Sequence, residues 1–464
     1  MTTDSILELL NEVAATTRTK EKAAILAAGW SPDVAQVVRA ALDTTVTYGL
    51  DDLTEFRAVQ PGEWQFGEGT WDLLERLARR DLTGNAAHSA VARELRLLST
   101  KSGDLLLRIL AKDLRCGVGP TTVNKIQAGL IPEFPYMRCS ALKDVKDLDA
   151  FIDGLAVAQE KADGMFVNVR HEGFGRVQLS SRQGSEIPGA HLQDLVTAAT
   201  QVLEPGTISH GELLIERDGH ILPRAESNGL LNAVANGTPL PQGNRVVLKL
   251  WDQIPIAASR PKGRYEVPYG TRLEALVRQL EHCNEGGPIS LIETQMITNA
   301  DEARAYFITK LQEGREGMVL KRRNGIWRDT GSSGSPDQVK FKQEESVDLE
   351  VVGVNPGKPG SKYEGRPGAF ACKSACGQLQ VDVAVKNDKL RAAVEADPEA
   401  WVGRIIPVLA NQVCTPSESN PMHSLYLPRM EVAGHREDKR TADTLAQILA
   451  KFNSAAECRK GGGA

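Results

Sequence analysis

The chain has 464 residues, of which 41% are hydrophobic and 25% are charged, and its formal net charge is −5 at pH 7. This length exceeds what one hydrophobic core supports and predicts roughly two to four domains. The composition is that of a folded globular protein and excludes a largely disordered chain. The acidic net charge excludes a wholly basic nucleic-acid coat, although it is compatible with a local basic patch.

The cysteines and the N-terminal segment indicate a cytoplasmic protein. The seven cysteines are odd in number and scattered, which is untypical of a secreted disulfide framework. Only Cys372 and Cys376 are close together, and no second pair or matching histidine spacing accompanies them as in a zinc site. The N-terminus lacks a signal-peptide pattern, and no window approaches about 18 apolar residues. We therefore expect no association with a membrane.

Residues 1 to 130 have a helical pattern. The stretch "SILELLNEV" places four apolar residues on one helix face, namely Ile6, Leu9, Leu10 and Val13. In "SPDVAQVVRAAL", Ser31 is the expected N-cap and Pro32 occupies the first helical position. Because no two-residue alternation interrupts this region, the sequence predicts a separate all-α domain.

The charges of this helical region are unevenly distributed. Residues 1–92 contain 8 Lys/Arg and 14 Asp/Glu, whereas residues 93–130 contain 7 and 3. In the basic part, "LRCGVGPTTVNKI" places Gly117 and Gly119 in a tight turn before a helix, and the backbone N–H groups of a helix start suit a phosphate. Two interpretations stay open here: a contact with the DNA backbone, or a helix–turn–helix corner with solvated basic residues.

The two prolines of "IPEFPYMRCS" mark the first domain boundary. Beyond it, short strand patterns alternate with turns and helices, as in "MFVNVR", "GELLIER", "RVVLKLWD" and "EGMVLKR", which predicts a mixed α/β domain. After "VDLEVVGVNPGKPG" the chain is again rich in strands and turns, and it closes with the helical "TADTLAQILAKF". A small β-barrel of about 110 residues fits this last region.

An ordered series of charged motifs runs through the second half of the chain. The stretch "EKADG" contains Lys161, but Lys-x-Asp-Gly alone is expected by chance in about one chain in ten of this length. It is followed in order by "SSRQG", "HGELLI", "LKLWD", "REGMVLK", "VKFK" and "REDK". The candidate functional residues within these later motifs are Arg182, Glu212, Trp251, Glu316, Lys340, Lys342, Arg436 and Lys439.

This series, in this order, resembles that of the covalent nucleotidyltransferases, and specifically the ATP-dependent DNA ligases of the bacteriophage and eukaryotic type. The resemblance covers nearly the whole chain. It implies a multi-domain α+β protein with an all-α DNA-binding domain (1–133), an α/β nucleotidyltransferase domain (134–345) and an OB-fold β-barrel (346–464). It also implies a monomer that seals 5′-phosphate/3′-hydroxyl nicks in duplex DNA, in the cytoplasm of a phage-infected or bacterial cell.

The resemblance also assigns roles to individual residues. Lys161 is the expected nucleophile, and ATP is expected to contact Gln159, Arg182, Glu212, Trp251, Lys340, Lys342, Arg436 and Lys439. Glu212 and Glu316 are expected to bind Mg²⁺ or another divalent cation, a hard ion that prefers oxygen ligands. The expected DNA contacts are Arg108, Lys112, Arg115, Gly117, Gly119, Lys125, Lys358, Lys362 and Arg366.

The chemistry of a lysine nucleophile agrees with this resemblance. Near neutral pH only about one lysine in a thousand carries a free amine. Lys340 and Lys342 alternate on one strand face, and together with a divalent metal they would disfavour the ammonium form of Lys161 and neutralise the attacked phosphate. Because Arg436 and Lys439 lie far along the chain, the OB domain is expected to close over the nucleotide for adenylation and to move away for sealing.

The series departs from the family pattern at Phe166, five residues after Lys161, where the family usually has an arginine. The contact of that arginine with the ribose or the nick phosphate is therefore open: Arg182 carries more of it, or an aromatic side chain packs at position 166. The segment "DTGSSGSPDQ" before the lysine strand also lacks an expected basic residue.

Alternative functions remain at this point. An RNA ligase or a GTP-dependent capping enzyme shares the lysine and carboxylate series, although the basic helical region and "REDK" favour a DNA ligase. A non-catalytic DNA-binding relative has Phe166 as its only support. An NAD-dependent bacterial ligase is disfavoured because the sequence has no four-cysteine zinc module.

Overall fold

The computed structural model describes residues 1–50, 52–281, 283, 286–359, 361, 363–416, 420–431 and 434–457. Its helices are α1 (Thr3–Ala15), α2 (Thr19–Ala28), α3 (Pro32–Leu42), α4 (Glu68–Ala78), α5 (Gly84–Leu95), α6 (Thr100–Leu110), α7 (Pro120–Ile126), α8 (Leu148–Ile152), α9 (Gln193–Val202), α10 (Arg224–Ala235), α11 (Tyr269–Leu280), α12 (Ala300–Gln312), α13 (Asp388–Ala396) and α14 (Leu445–Glu457). Within these described ranges, no helix has the length and apolar character needed to cross a membrane.

The strands account for much of the second half of the chain. They are β1 (Cys139–Ala141), β2 (Ala156–Glu160), β3 (Met165–Gly173), β4 (Arg176–Ser180), β5 (Thr207–Arg217), β6 (His220–Ile221), β7 (Asn244–Pro255), β8 (Arg264–Tyr265), β9 (Ile289–Leu291), β10 (Thr294–Ile297), β11 (Gly317–Arg322), β12 (Trp327–Arg328), β13 (Ser335–Lys342), β14 (Glu345–Pro356), β15 (Pro367–Lys373), β16 (Gln380–Ala384), β17 (Ile405–Ala410), β18 (Gln412–Cys414), β19 (Ser424–Tyr426) and β20 (Arg429–Met430). Helices and strands together make this an α+β protein.

The chain forms two compact units, and each is assembled from separate stretches of sequence. One unit comprises Met1–Glu133, Asp348–Val408 and Pro428–Ala442. The other comprises Phe134–Val347, Leu409–Leu427 and Asp443–Ala464. We call them the first unit and the second unit.

The N-terminal part of the first unit consists of helices α1 to α7. The expected N-cap is confirmed, because the Ser31 side chain accepts a hydrogen bond from the Val34 backbone N–H at 3.2 Å and Pro32 is the first residue of α3. The apolar faces of the helices meet in one core that includes Leu10, Val38 and Leu106. The helical pattern predicted for this region is therefore present in the structure.

The remainder of the first unit contains α13 and most of a five-stranded sheet with the strand order β16-β15-β14-β17-β20. Strand β15 pairs antiparallel with both β14 and β16. Its inward side chain Phe370 is fully buried, and the Phe370 ring lies 5.2 Å from the ring of Trp401. The alternation of buried and accessible residues along β15 agrees with the two-residue pattern of a sheet that has one buried face.

The second unit contains two larger sheets. One has the order β1-β13-β11-β2-β10, and it packs on α8 and α12 through a core that includes Phe307 and Phe341. The other has the path β4-β3-β5-β7-β9, with β6 paired to β5, and it packs on α9, α10 and α11 through a core that includes Leu195, Leu231 and Leu276. Side chains of both sheets line the pocket described below.

Candidate active site

Lys161 is the first residue after β2, the strand that lies between β11 and β10. Its backbone N–H donates to the Gly317 carbonyl at 2.9 Å, and its Nζ lies 2.5 Å from Oε2 of Glu316. The Lys161 side chain is 25% exposed. The proposed nucleophile is therefore fixed at both ends while its amine remains accessible to a small molecule.

The glycine of Lys-x-Asp-Gly has a packing reason. A Cβ at Gly164 would lie 2.2 Å from the Leu213 carbonyl oxygen, so any side chain there would force β3 away from β5. Because the two backbones approach so closely, the Gly164 N–H donates to Oε1 of Glu212 at 3.3 Å. The motif thus links Lys161 to a carboxylate on the other sheet.

Glu316 lies between two lysines. It precedes β11, and both Lys161 and Lys342 form ion pairs with its carboxylate. Gly317 has φ +142°, and a Cβ there would meet the Phe341 carbonyl oxygen at 2.2 Å, so this glycine lets β11 approach β13. Burial would raise the pKa of Glu316, but Lys161 and Lys342 outweigh it and hold that pKa below its usual value.

Glu212 on β5 has the opposite electrostatic setting. Burial raises its pKa to about 7, although Lys161 and Arg182 both favour its charged form. Within the described residues, no cationic side chain forms an ion pair with it. Two carboxylates beside one lysine thus differ in their pKa, which lies below the usual value for Glu316 and is raised to about 7 for Glu212.

The pocket beside Lys161 spans about 790 Å³ of empty space, a volume that includes the open solvent at its mouth. Aromatic rings form much of its wall: the Phe166 ring lies 5.8 Å from that of Trp251 and 6.2 Å from that of His210, which in turn lies 6.1 Å from the Trp327 ring. Apolar walls with a few polar groups are typical of small-molecule sites. The structure therefore brings five predicted residues to one pocket: Gln159, Lys161, Arg182, Glu212 and Trp251.

The buried polar residues that line the pocket include Gln159, which the sequence predicted, and Lys321 and Asp252, which it did not. Gln159 is 1% exposed, and within the described part of the chain its Oε1 has no hydrogen-bond partner. Burial lowers the pKa of Lys321 to about 8, although the nearby Asp252 favours its charge. Lys321 stands two residues from Val319 on β11, and both line the pocket; this spacing within "EGMVLK" was the signal that could have identified it.

The carboxylates Glu212 and Glu316 fit a divalent cation by their chemistry. Both are oxygen donors near Lys161, and the charge of a cation would displace the proton of Glu212. Among the residues that the structure describes, no group of three or more His, Cys, Asp or Glu side chains forms a ready-made metal cluster. A bound Mg²⁺ would complete its coordination with water or phosphate oxygens, as this ion usually does.

The remaining predicted nucleotide contacts are distributed over both units. Lys340 and Lys342 lie on β13, and only Lys342 reaches Glu316 with an ion pair in the described residues. Arg436 and Lys439 belong to the first unit, where Asp348 binds both: Nη1 of Arg436 lies 3.3 Å from Oδ1 and Nζ of Lys439 lies 2.6 Å from Oδ2. Asp438 also binds Arg436 at 2.6 Å, and this bond together with Asp348 raises the pKa of Arg436.

The predicted DNA contacts differ in how accessible their side chains are and in whether they already bind groups within the protein. Arg108 is buried and donates to Asp104, Asn11 and the Leu114 carbonyl, and Lys112 donates to the carbonyls of Ala40 and Asp43. These two side chains donate to partners inside the helical region, and their role as DNA contacts stays a prediction. The sequence alone did not show which basic residues face inward.

The other predicted DNA contacts are more accessible or lie elsewhere. Lys125 on α7 and Lys358 are exposed, whereas Arg115 is partly buried beside Asp104 and Arg366 is paired with Glu395. Gly117 has φ +67° and Gly119 directly precedes α7, as the predicted tight turn requires. Lys362 lies outside the described residues.

The fold and the site together define a class. Two sheets enclose a pocket whose walls are aromatic, and a lysine at its mouth contacts a carboxylate from the adjacent strand. A lysine beside two carboxylates, with a strand of alternating lysines next to it, is the arrangement expected from the resemblance to covalent nucleotidyltransferases.

Comparison with known proteins shows which proteins the chain is similar to. Residues 136–342 match the model of the ATP dependent DNA ligase domain. The DNA ligase of Enterobacteria phage T4 is 28% identical over 498 aligned positions, which cover 97% of this chain and 99% of that protein, and the DNA ligase of phage T6 is 29% identical over the same shares. A solved structure titled "Pmar-Lig_PreS3" has the same fold, with a TM-score of 0.70, 20% identity and coverage of 92% of this chain and 98% of that chain. The chain is thus similar to DNA ligases of phages T4 and T6 along nearly its whole length, and its residues 136–342 match the ATP dependent DNA ligase domain.

Proposed function

We propose that this protein seals nicks in duplex DNA with ATP as co-substrate, through a lysyl-AMP intermediate and a DNA-adenylate. The observation that carries the proposal is the Lys161 amine at the mouth of the aromatic pocket, 2.5 Å from Glu316 and close to Glu212. This geometry occurs in a chain that matches phage DNA ligases along nearly its full length.

The first step forms a bond between Nζ of Lys161 and the α-phosphorus of ATP. The bond between that phosphorus and the bridging oxygen to the β-phosphate breaks, and pyrophosphate leaves with the electron pair. An ammonium has no lone pair, so Lys161 must lose a proton to solvent before attack. Glu316 accepts a hydrogen bond from this amine and is suited to orient it.

The two later steps take place on DNA. An oxygen of the nick 5′-phosphate attacks the phosphorus of the lysyl-AMP, and the Lys161 nitrogen leaves and takes up a proton. The 3′-hydroxyl then attacks the 5′-phosphate, AMP leaves, and the hydroxyl proton passes to solvent. Basic side chains near the reacting phosphates stabilise their developing charge in each step.

Within the pocket we assign roles that the geometry supports. Trp251 and the neighbouring rings suit the adenine base, and Gln159 offers a buried acceptor, Oε1, to its edge. Glu212 and Glu316 would hold Mg²⁺, which when bound supplies charge neutralisation at the phosphates. Arg182, Lys340 and Lys342 are the cations that we assign to phosphate oxygens.

We further propose a three-part organisation: an all-α DNA-binding region (1–133), a nucleotidyltransferase region (134–345) and an OB-fold region (346–464), acting as a monomer on nicked duplex DNA. The α-helical core of residues 1–133 and the five-stranded sheet after residue 345 support it. Arg436 and Lys439 orient the leaving pyrophosphate in this proposal, and they would exchange Asp348 for phosphate oxygens when they engage ATP.

The decisive test is covalent labelling with ATP radiolabelled at the α-phosphate. Wild-type protein should form a labelled adduct that resists denaturation, and Lys161→Ala should form none because no other amine stands at this position. Lys143→Ala, which removes a lysine outside the pocket, serves as the matched control and should label like the wild type. Labelling of Lys161→Ala would disprove the assignment of the nucleophile.

The same gel separates the alternative functions. Labelling by GTP rather than ATP would indicate a capping enzyme, and joining of RNA ends in preference to nicked DNA would indicate an RNA ligase. A non-catalytic relative would retain salt-dependent DNA binding but would show neither adduct nor sealing.

A further inference from the structure

Arg182 lies on two aromatic rings at the edge of the pocket. It follows β4, and its guanidinium carbon is 4.5 Å from the centroid of Tyr136 and 5.3 Å from that of Phe166. The two rings meet edge to face, with centroids 5.1 Å apart and an interplanar angle of 88°. We call Tyr136 and Phe166 the aromatic cradle, since both attract the cation through their ring faces.

The guanidinium held by the cradle has free donors. Within the described residues, no carboxylate, carbonyl or hydroxyl accepts a hydrogen bond from it, although Arg182 lines the same pocket as Lys161. The nearby Glu212 interacts with it only through the electrostatic field. A planar fork of N–H donors with no internal acceptor matches the oxygens of a phosphate.

The backbone around the cradle is fixed by contacts of its own. Gly184, in the turn that carries Arg182, has φ +82°, and a Cβ there would meet the Phe134 ring at 1.9 Å. The Tyr136 N–H donates to Oδ1 of Asp329 at 3.2 Å, and the Thr330 N–H donates to the Tyr136 carbonyl at 3.1 Å. The segment "DTGSSGSPDQ", which lacks the expected basic residue, thus supports the strand entry that bears Tyr136.

We propose that Tyr136 and Phe166 are positioning residues that hold the Arg182 guanidinium at the pocket mouth, where it binds a phosphate oxygen of ATP or of the nick. This inference rests on the proposed function for its ligand. Phe166 stands where related ligases usually have an arginine, and here it supplies a ring to the arginine of the adjacent hairpin. Two aromatic rings thereby hold the Arg182 guanidinium in place.

The test is a double-mutant cycle between the cradle and the arginine. Phe166→Leu keeps an apolar side chain but removes the ring, and it should raise the KM for ATP or slow the sealing of a pre-adenylated nick by roughly 3- to 30-fold, the range of one cation–π contact. Adduct formation depends on the contact of Arg182 with a phosphate of ATP, whereas sealing of the pre-adenylated nick depends on its contact with the 5′-phosphate of DNA. The reaction that Phe166→Leu slows therefore shows which of the two phosphates Arg182 binds.

The cycle distinguishes positioning from packing. Phe166→Tyr keeps an aromatic ring and should retain the wild-type KM and sealing rate. In an Arg182→Met background, Phe166→Leu should have no further effect, because the arginine through which it acts is absent. Phe174→Leu makes the same change at the exposed tip of the same hairpin and should leave both reactions unchanged. Equal effects of Phe166→Leu with and without Arg182 would overturn the proposal, as would an unchanged KM and sealing rate.

A failure of the aromatic-cradle proposal can be distinguished from a failure of the proposed ligase function. Absence of an adduct in the wild type contradicts the assignment of Lys161, whereas the cycle can be repeated on equilibrium binding of ATP in a Lys161→Ala background. If the effects of the Phe166 and Arg182 mutations on ATP binding are not additive, the result supports the role of the aromatic cradle even when no adduct forms. If Phe166→Leu reduces the free energy of unfolding too far to assay, Tyr136→Leu in the same cycle applies the same test from the other ring.

Discussion

Individual side chains of the pocket differ in how burial affects them. Lys321 and Glu212 are both enclosed, yet one has its pKa lowered to about 8 and the other has its pKa raised to about 7, because burial disfavours the charged form of each. The pKa of Glu316 is instead lowered, because Lys161 and Lys342 both form ion pairs with its carboxylate. Perturbed groups of this kind cluster where ligands bind.

The lowered pKa of Lys321 makes stability depend on pH. The unfolded chain keeps this proton up to about pH 10.4, so between pH 8 and that value the unfolded state binds more protons and the free energy of unfolding rises with pH. Below pH 8 the penalty of burying the charge is fully present. Lys321→Met should remove it and stabilise the protein at pH 7 by about 3 kcal/mol, an advantage that shrinks by pH 10.

Urea unfolding of the wild type and Lys321→Met at pH 7 and pH 10 measures this effect. Lys389→Met, at an exposed position of α13, is the matched control and should show no pH-dependent difference from the wild type. An identical change with pH in wild type and Lys321→Met would refute the prediction.

At the scale of elements, short contacts between backbones explain the motif glycines. Gly164 and Gly317 each lie where a Cβ would meet a carbonyl oxygen at 2.2 Å, and these two approaches bring Glu212 and Glu316 to Lys161. The sequence pattern predicted strands on both sides of each glycine. It did not show that the strands belong to two different sheets with the pocket between them.

Helix α11 is joined to β7 by a buried ion pair. Arg272 donates to both oxygens of Asp252, from Nε at 2.8 Å and from Nη2 at 2.9 Å. Burial would raise the pKa of Asp252, but Arg272 outweighs it and the pKa lies below its usual value. Because Arg272→Leu leaves this carboxylate buried without its main partner, we expect it to lower the free energy of unfolding by about 3–5 kcal/mol.

An exposed pair on the same helix provides the comparison. Glu274 lies 3.2 Å from Arg323 and both side chains are largely in solvent, so Glu274→Gln should change stability by less than about 1 kcal/mol. Thermal or chemical unfolding of both variants checks the ranking. A loss for Arg272→Leu no larger than that for Glu274→Gln would show that the buried pair is dispensable.

For the whole molecule, the question is which basic surface meets DNA. The sequence predicted a basic region at residues 93–130, but Arg108 and Lys112 are bonded internally and only part of its charge is available to a partner. Exposed Lys125 on α7 remains a proposed phosphate contact. An acidic protein can thus bind DNA through a few accessible cations.

Salt dependence tests this assignment. Lys125→Gln should weaken binding of a nicked duplex and reduce the slope of log K against log salt by roughly 0.9, the value for one phosphate contact. Lys20→Gln makes the same charge change at an exposed position of α2 that we did not assign to DNA, and it should leave the slope unchanged. Equal slopes for the wild type and Lys125→Gln would remove Lys125 from the interface.

The sequence by itself determined the resemblance to ATP-dependent DNA ligases, the order of the motifs and the main helical and strand segments, because residue type and local periodicity reflect nearby backbone geometry. The grouping of Lys161 with Glu212 and Glu316 was predictable since their motifs are specific in combination, and the roles of these residues stay a prediction. The aromatic cradle, the internal bonds of Arg108 and the burial of Lys321 were decided only by tertiary structure. Each depends on side chains distant in sequence, such as Tyr136 and Phe166, whose approach is set by strand pairing and packing rather than by local pattern.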